Sequence, residues 1–309
     1  MNRNEYTKNI EYKNRRLLLK IYEREIKKLK IKIYQATEKG NDTKYLQKLH
    51  DDVEQEIAIF KKYLKNYSVM SATESYKAGI KLALLGVSAS EVATAFKFGA
   101  ANREAIQVLA KVTYEPLSKM AQSIGRATLE YMKRENFENT QSVLKALGKL
   151  ADSEFLRKTG IEGVADVVVG SSSWQKAARD IRDKIIKEAD FKVPYYKKNG
   201  DLARFVPAKD YAKMVSRTTT ANIMREGAKD SILETFDNEF DLVEVLGISQ
   251  FPNSPCIPYQ GKILSLTGIT KGYTTVDEAK ANGLYHVNCI HSFGITDKVM
   301  EIYRSGDYE

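Results

Sequence analysis

Cysteine and histidine are scarce in this chain, which has two cysteines and three histidines among 309 residues. Two cysteines are too few for the disulfide framework of a small secreted domain. No apolar run approaches the ~20 residues that a membrane-spanning helix requires. The N-terminus also lacks the apolar core of a signal peptide. We therefore expect synthesis in a reducing cytoplasm and no membrane partner.

Familiar catalytic signatures are also missing from the sequence. It has no glycine-rich phosphate loop, no nucleophile elbow and no paired-histidine zinc protease motif. Proline and glycine are infrequent, at 6 and 18 residues, so long uninterrupted elements are expected. These absences favour a mainly helical protein that is not an enzyme and has no small-molecule substrate.

The N-terminal part of the chain follows a helical rhythm. Apolar residues recur at three- and four-residue steps from Leu19 to Ala36 and again from Leu46 to Leu64. The turn residues 40–42 separate the two runs. This pattern predicts a coiled-coil-like helical hairpin over residues 1–67, followed by a helical middle region over residues 68–190.

Positive charge is concentrated at the start of the predicted hairpin. Residues 1–32 carry eleven Lys or Arg against four Asp or Glu, which is most of the net charge of +9. This segment is a candidate contact for nucleic acid or for an acidic protein surface, and the alternative is a solvated helical face. The candidate binding residues are Arg15, Arg16, Lys20, Lys27 and Lys28.

The sequence pattern changes near residue 191. In the last third of the chain it predicts an α+β module over residues 191–309. Alternating residues around Asn199 and Gly200 predict a β-hairpin, and a long helix follows. Short strands are expected at 241–249, at 262–266 and after His291, with a short helix that ends at Gly283. The predicted fold class is therefore mainly α with a small C-terminal module of short strands.

Four of the five cysteines and histidines fall within this module, at Cys256, His286, Cys289 and His291. Two thiolates and two imidazoles form a complete tetrahedral ligand set for structural zinc. Other interpretations remain open. A histidine could be hydrogen-bonded in the core, the cysteines could be small buried residues, or they could pair as a disulfide. A nucleophilic Cys289 with His286 as its base is a further alternative.

The order of motifs around these residues resembles the phage Mu F-like domain of head morphogenesis, or minor capsid, proteins of tailed bacteriophages. The resemblance covers roughly residues 190–297. The motifs that carry it are Arg217-Thr218, then Cys256, Pro258, Gly261 and Lys262, then His286, Asn288, Cys289 and His291.

The resemblance implies a low-copy procapsid component that associates with the portal, scaffold or major capsid protein. It also implies a virion protein of the capsid interior, assembled in the host cytoplasm, that associates with the packaged DNA or with its ejection. Zinc is then a structural cofactor, Arg217 holds the long helix against the sheet, and Gly261 is a turn residue. The alternatives are a nucleic-acid-binding protein that uses the basic arm, and a metal-dependent nuclease.

Overall fold

Six helices and five short strands occupy the described parts of the chain. A computed structural model describes residues 3–38, 43–85, 97–148, 191–196, 201–249, 251–289, 291–306 and 308. The helices are α1 (Arg3–Glu38), α2 (Thr43–Ala83), α3 (Ala100–Gly148), α4 (Ala208–Thr235), α5 (Val276–Ala281) and α6 (Asp297–Ser305). The strands are β1 (Lys192–Tyr196), β2 (Leu202–Pro207), β3 (Leu242–Leu246), β4 (Ile263–Ser265) and β5 (Ser292–Gly294). The predicted fold class is confirmed.

The chain forms two compact units, each built from segments that are distant in sequence. The first unit contains Met1–Leu19, Leu64–Leu117 and Ala212–Glu309. The second contains Lys20–Tyr63 and Ser118–Tyr211. Helix α2 runs without a break through the boundary expected after residue 67. The three-part division along the chain stays a prediction.

The second unit contains the antiparallel pairing of α1 with α2. Lys28 contacts Glu56 at 3.0 Å, and Lys32 contacts Asp52 at 2.8 Å. Because positions further along α1 contact positions earlier on α2, the two helices run antiparallel. The apolar stripes expected from the sequence are buried at Tyr22, Ile26, Leu29, Ile33 and Ala36 on α1 and at Leu49, Val53, Ile57 and Phe60 on α2. Strands β1 and β2 of this unit form the predicted antiparallel hairpin.

The first unit contains a three-stranded antiparallel sheet in the order β4-β3-β5. Its central strand, β3, is buried at Leu242, Val243 and Val245, and these residues share one apolar core with α4, α5 and α6. An edge-to-face aromatic contact between Phe236 and Tyr303 joins the end of α4 to α6. The strands are therefore held in place mainly by the helices around them.

Helix α6 is the described element that the sequence pattern did not predict. Its side chains Val299 and Met300 are buried, and Thr296 caps its start by accepting a hydrogen bond from the amide of Val299. A capping threonine followed by an amphipathic run is the signal that could have revealed it. Residues 86–96 and 149–190 of the predicted helical middle region lie outside the described residues.

A buried carboxylate, Asp241, organises the loop that follows β4. It accepts hydrogen bonds from Ser265 Oγ at 2.5 Å, from Thr267 Oγ1 at 2.7 Å and from the Thr267 amide at 2.8 Å. Burial alone would raise the pKa of Asp241, but these bonds and those from Thr270 outweigh it and lower the pKa from 3.8 to about 2. The loop is thus tied to the charged form of this side chain.

We expect the stability of the first unit to depend on pH through Asp241. Because the folded-state pKa lies below the ordinary value, the stabilisation is present above about pH 4 and is lost as the pH falls towards 2. A shift of this size corresponds to about 2 to 3 kcal/mol. In urea unfolding, the free energy of unfolding of Asp241→Asn should therefore be lower than that of the wild type by about that amount at pH 7. The difference should be smaller at pH 2.

Asp277→Asn is the matched control for this measurement, because the Asp277 side chain is 83% exposed. Its pH profile should follow that of the wild type. Equal stability of Asp241→Asn and wild type at pH 7 would contradict the assigned role of Asp241.

Candidate metal centre

Three of the four predicted metal ligands come together in the first unit. The donor atoms of Cys256, Cys289 and His291 all lie within 4.8 Å of one another. Cys289 Sγ is 3.3 Å from His291 Nδ1. All three residues are buried, and Cys289 is the most exposed of them at 4%. The structure therefore assembles two thiols and one imidazole in a buried site.

Consecutive turns before β4 position Cys256. The amide of Ile257 donates to the Ser254 carbonyl at 3.1 Å, and the amide of Tyr259 donates to the Cys256 carbonyl at 3.1 Å. Pro258 lies in the short 3₁₀ turn Ile257–Tyr259 that follows the cysteine. These local bonds direct the chain so that the Cys256 side chain enters the core.

A tight turn, residues 286–289, carries Cys289 and is attached to α4. The Cys289 amide donates to the His286 carbonyl at 2.9 Å, and Asn288 has a positive φ of 64°. Asparagine adopts this left-handed conformation more readily than most residues. The Asn288 amide also donates to Thr218 Oγ1 at 3.3 Å. Thr218 of the Arg-Thr pair therefore anchors the turn to the long helix.

The electrostatic surroundings keep His291 in its neutral form. Burial, assisted by the nearby charges of His286 and Arg225, lowers the pKa of His291. A neutral imidazole is the form that binds metals. Its second nitrogen, Nε2, is buried and has no hydrogen-bond partner among the described residues. Burial also raises the pKa of the Cys289 thiol, so metal binding at this site would displace a proton.

His286 lies beside Cys256 but is not part of the three-residue cluster. Its Nε2 is 3.3 Å from Cys256 Sγ and 2.9 Å from Ser254 Oγ. Its Nδ1 is 2.8 Å from the Val287 carbonyl, which can only accept, so Nδ1 carries the hydrogen. The other ring nitrogen, Nε2, therefore faces Ser254 and Cys256. The sequence pattern did not single out Ser254, although it lies two residues before Cys256.

Arg225 is the second residue of this site that sequence reasoning missed. It is 6% exposed, and its guanidinium lies 4.1 Å above the Tyr285 ring and donates to the His291 carbonyl at 2.8 Å. Burial lowers the pKa of Arg225. Arg225 thus joins α4 to the segment that carries His291. A basic residue on a helix face usually indicates a solvated position, so the sequence contained no signal for this role.

The donor set fits zinc. With bond lengths of about 2.0 to 2.3 Å, the ligand atoms of a tetrahedral zinc site lie roughly 3.3 to 3.8 Å apart. The observed donors lie within 4.8 Å, and they combine the thiol and imidazole groups that zinc prefers. His286, in contact with Cys256, is the nearest described candidate for a fourth ligand.

Comparison with known protein families decides the broader identity. The profile of the family described as phage minor capsid protein 2 matches residues 66–295. The chain belongs to that family. The match confirms the resemblance to phage minor capsid proteins and indicates a structural protein of the virion. No curated protein and no solved structure matches the chain.

The matched region of this minor capsid protein includes the metal cluster but not α1, which carries the candidate partner-binding residues. Arg16, Lys20 and Lys27 are exposed on α1. Arg15 lies 3.6 Å from Glu11, and Lys28 pairs with Glu25 at 3.1 Å as well as with Glu56. The structure also contains, in its described part, no helix long and apolar enough to cross a bilayer.

The two residues expected to be structural have different surroundings. Gly261 has a φ of +67°, which favours glycine, and its amide donates to the Val245 carbonyl at 3.0 Å. Arg217 lies 3.5 Å from Glu11 of α1. Arg217 therefore contacts helix α1. Arg225, and not Arg217, contacts the segment before β5.

Proposed function

We propose that this minor capsid protein is a low-copy component of the procapsid that binds the portal or scaffold protein during head assembly. Family membership over residues 66–295 is the observation that supports the proposal. Assembly in the host cytoplasm, a position inside the capsid close to the major capsid protein, and passage with the DNA at ejection belong to the same proposal. Its role is structural and not enzymatic.

We assign zinc a structural role in this proposal. Cys256, Cys289 and His291 come from the loop before β4, from the tight turn and from the position just before β5. A metal that bound all three would connect these segments across the apolar core of the first unit. The three donor residues are at most 4% exposed, which favours a structural metal site over the open site of a metal nuclease.

The exposed cations of α1 form the proposed contact with the partner. Arg16, Lys20 and Lys27 are four and seven residues apart, so they share one face of the helix. None of the three forms an ion pair with another described residue. Glu23 lies on the same face, but its charge is paired with Lys209 at 2.7 Å. The face is therefore complementary to an acidic protein surface.

Co-expression with the portal and scaffold proteins of the same phage tests the proposal. The full chain should co-purify with one of them. Changing Arg16, Lys20 and Lys27 together to glutamine should reduce recovery about tenfold, since exposed charges mainly govern encounter and specificity. The control changes Lys44, Lys48 and Lys62 to glutamine. It removes the same number of exposed positive charges, but from α2. A wild-type chain that captures neither protein would overturn the proposal.

DNA is the second candidate partner, and the same exposed face favours it. If the three cations neutralise phosphates, the logarithm of the affinity for duplex DNA should fall steeply with the logarithm of salt concentration. The triple glutamine variant should reduce that slope by about 2.7, at about 0.9 for each phosphate contact. Absent or salt-insensitive binding would remove this candidate.

A further inference from the structure

A cavity of about 160 Å³ opens in the first unit, beside the metal cluster. Lys8 and Glu11 of α1 line it, together with Arg217 and Thr220 of α4 and Ile248, which follows β3. Cys289 also lines it, so the cavity adjoins the metal cluster. The four segments of chain that line it all belong to the first unit.

The walls carry more positive than negative charge. Glu11 lies 3.5 Å from Arg217 and 3.6 Å from Arg15, so its charge is engaged by the two arginines. Lys8 is exposed and forms no ion pair with another described residue. These walls therefore favour a bound anion.

A hydroxyl group adds a directional donor to the cavity. Thr220 is 2% exposed, and its Oγ1 accepts a hydrogen bond from Asn14 Nδ2 at 3.1 Å. A hydroxyl that accepts one bond retains its own hydrogen for donation. Arg217, Lys8 and Thr220 thus offer hydrogen-bond donors of the kind that recognise an oxyanion.

The size of the cavity limits what it can hold. Its volume of about 160 Å³ is below the ~300 Å³ of the smaller ligand pockets and close to that of a cavity that holds one benzene ring. A nucleotide is too large for it, whereas one carboxylate-bearing side chain fits. Ile248, which lines the same cavity, is 77% exposed and offers an apolar surface that a free inorganic anion would not use.

We propose that this cavity receives an Asp or Glu side chain from an acidic segment of a partner protein, with a neighbouring apolar residue of that segment packed on Ile248. The inference deepens the proposed function and rests on it, because the partner would be another protein of the assembling head. It names the chemistry of the recognised segment, an acidic residue flanked by an apolar one.

Two capped tripeptides are the test probes, one with glutamate between two leucines and one with glutamine in its place. Titration of the full chain, followed by ligand-detected NMR, should give an affinity about tenfold or more higher for the glutamate peptide. Lys8→Gln and Arg217→Gln should each remove most of that preference. Lys65→Gln is the matched control, since it removes one exposed lysine of the first unit, on α2, that does not line the cavity.

Lys8→Gln keeps the test decisive if Arg217→Gln fails to fold, because Lys8 is exposed. Equal affinities for the two peptides, or a preference that survives Lys8→Gln, would overturn the inference. Displacement of the peptide by single-stranded DNA in the wild type but not in Lys8→Gln would assign the cavity to nucleic-acid phosphate and also overturn it. If both cavity variants still capture the portal protein, the inference is overturned but the proposed function is not. If the wild type captures no partner, the proposed function is overturned.

Discussion

Gly79→Ala is expected to destabilise the protein by about 3 kcal/mol, although alanine is the better helix former. A Cβ at Gly79 of α2 would lie 2.0 Å from the carbonyl oxygen of Met224 on α4. A Cβ at Gly227 of α4 would lie 2.3 Å from the carbonyl oxygen of Tyr76 on α2. The two helix backbones therefore contact each other directly at both glycines.

The magnitudes decide the sign of this effect. Alanine in place of a helical glycine gains about 1 kcal/mol of helix propensity. The obstructing atoms belong to backbone, so the two helices must move apart, and overpacking of this kind costs typically 1 to 3 kcal/mol and sometimes more. Because the overlap at Gly79 is severe, we expect a steric cost of about 4 kcal/mol, above the typical range, and therefore a net loss of about 3 kcal/mol. Gly227→Ala should behave alike.

Urea unfolding of the two variants provides the measurement, with Gly99→Ala as the control. A Cβ at Gly99 would meet no atom closer than 3.8 Å, so that variant should stay within about 0.5 kcal/mol of the wild type. Wild-type stability in Gly79→Ala would show that α2 and α4 do not approach each other so closely.

Cys289→Ser is expected to abolish zinc binding and to remove the stabilisation that depends on the metal. Purified wild type should contain about one zinc per chain, and the variant should contain almost none, because a hydroxyl is a poor substitute for a thiolate. Ligand linkage predicts a loss of about 4 kcal/mol when free zinc exceeds the dissociation constant a thousandfold. Elemental analysis and thermal unfolding with and without a chelator measure both effects.

Two histidine variants supply the controls for this experiment. His50→Ala changes the one histidine outside the C-terminal module and should retain zinc. His286→Ala separates two arrangements, since loss of zinc would make His286 the fourth ligand and retention would place it outside the ligand set. A wild-type chain that is fully folded without metal and insensitive to added zinc would contradict the zinc proposal.

Much of the fold could be read from the sequence, because it depends on local periodicity. The apolar stripes of α1 and α2, the length of α4 and the three strands of the sheet were all predicted within a few residues. Helix α6 was missed because it is short and follows a strand closely. The loop organised by Asp241 was also missed, since an acidic residue at the start of a strand carries no sign of burial.

The site could be predicted only in part. Scarcity of cysteine and histidine selected the cluster residues, and the structure brings Cys256, Cys289 and His291 together. Ser254 and Arg225 could not be selected in the same way. Serine and arginine are common, so neither stands out until a fold places it against a histidine ring or a buried carbonyl.

By itself, the sequence determined the mainly helical class, the short strands of the C-terminal third, the candidate metal ligands and the resemblance to a phage capsid family. Each of these depends on spacing or composition along one chain. The tertiary structure alone decided that Gly79 and Gly227 lie at a backbone crossing, that Arg225 is buried on Tyr285, and that His286 lies beside the cluster. These features arise from the approach of segments that are far apart in sequence, and no local pattern encodes that approach.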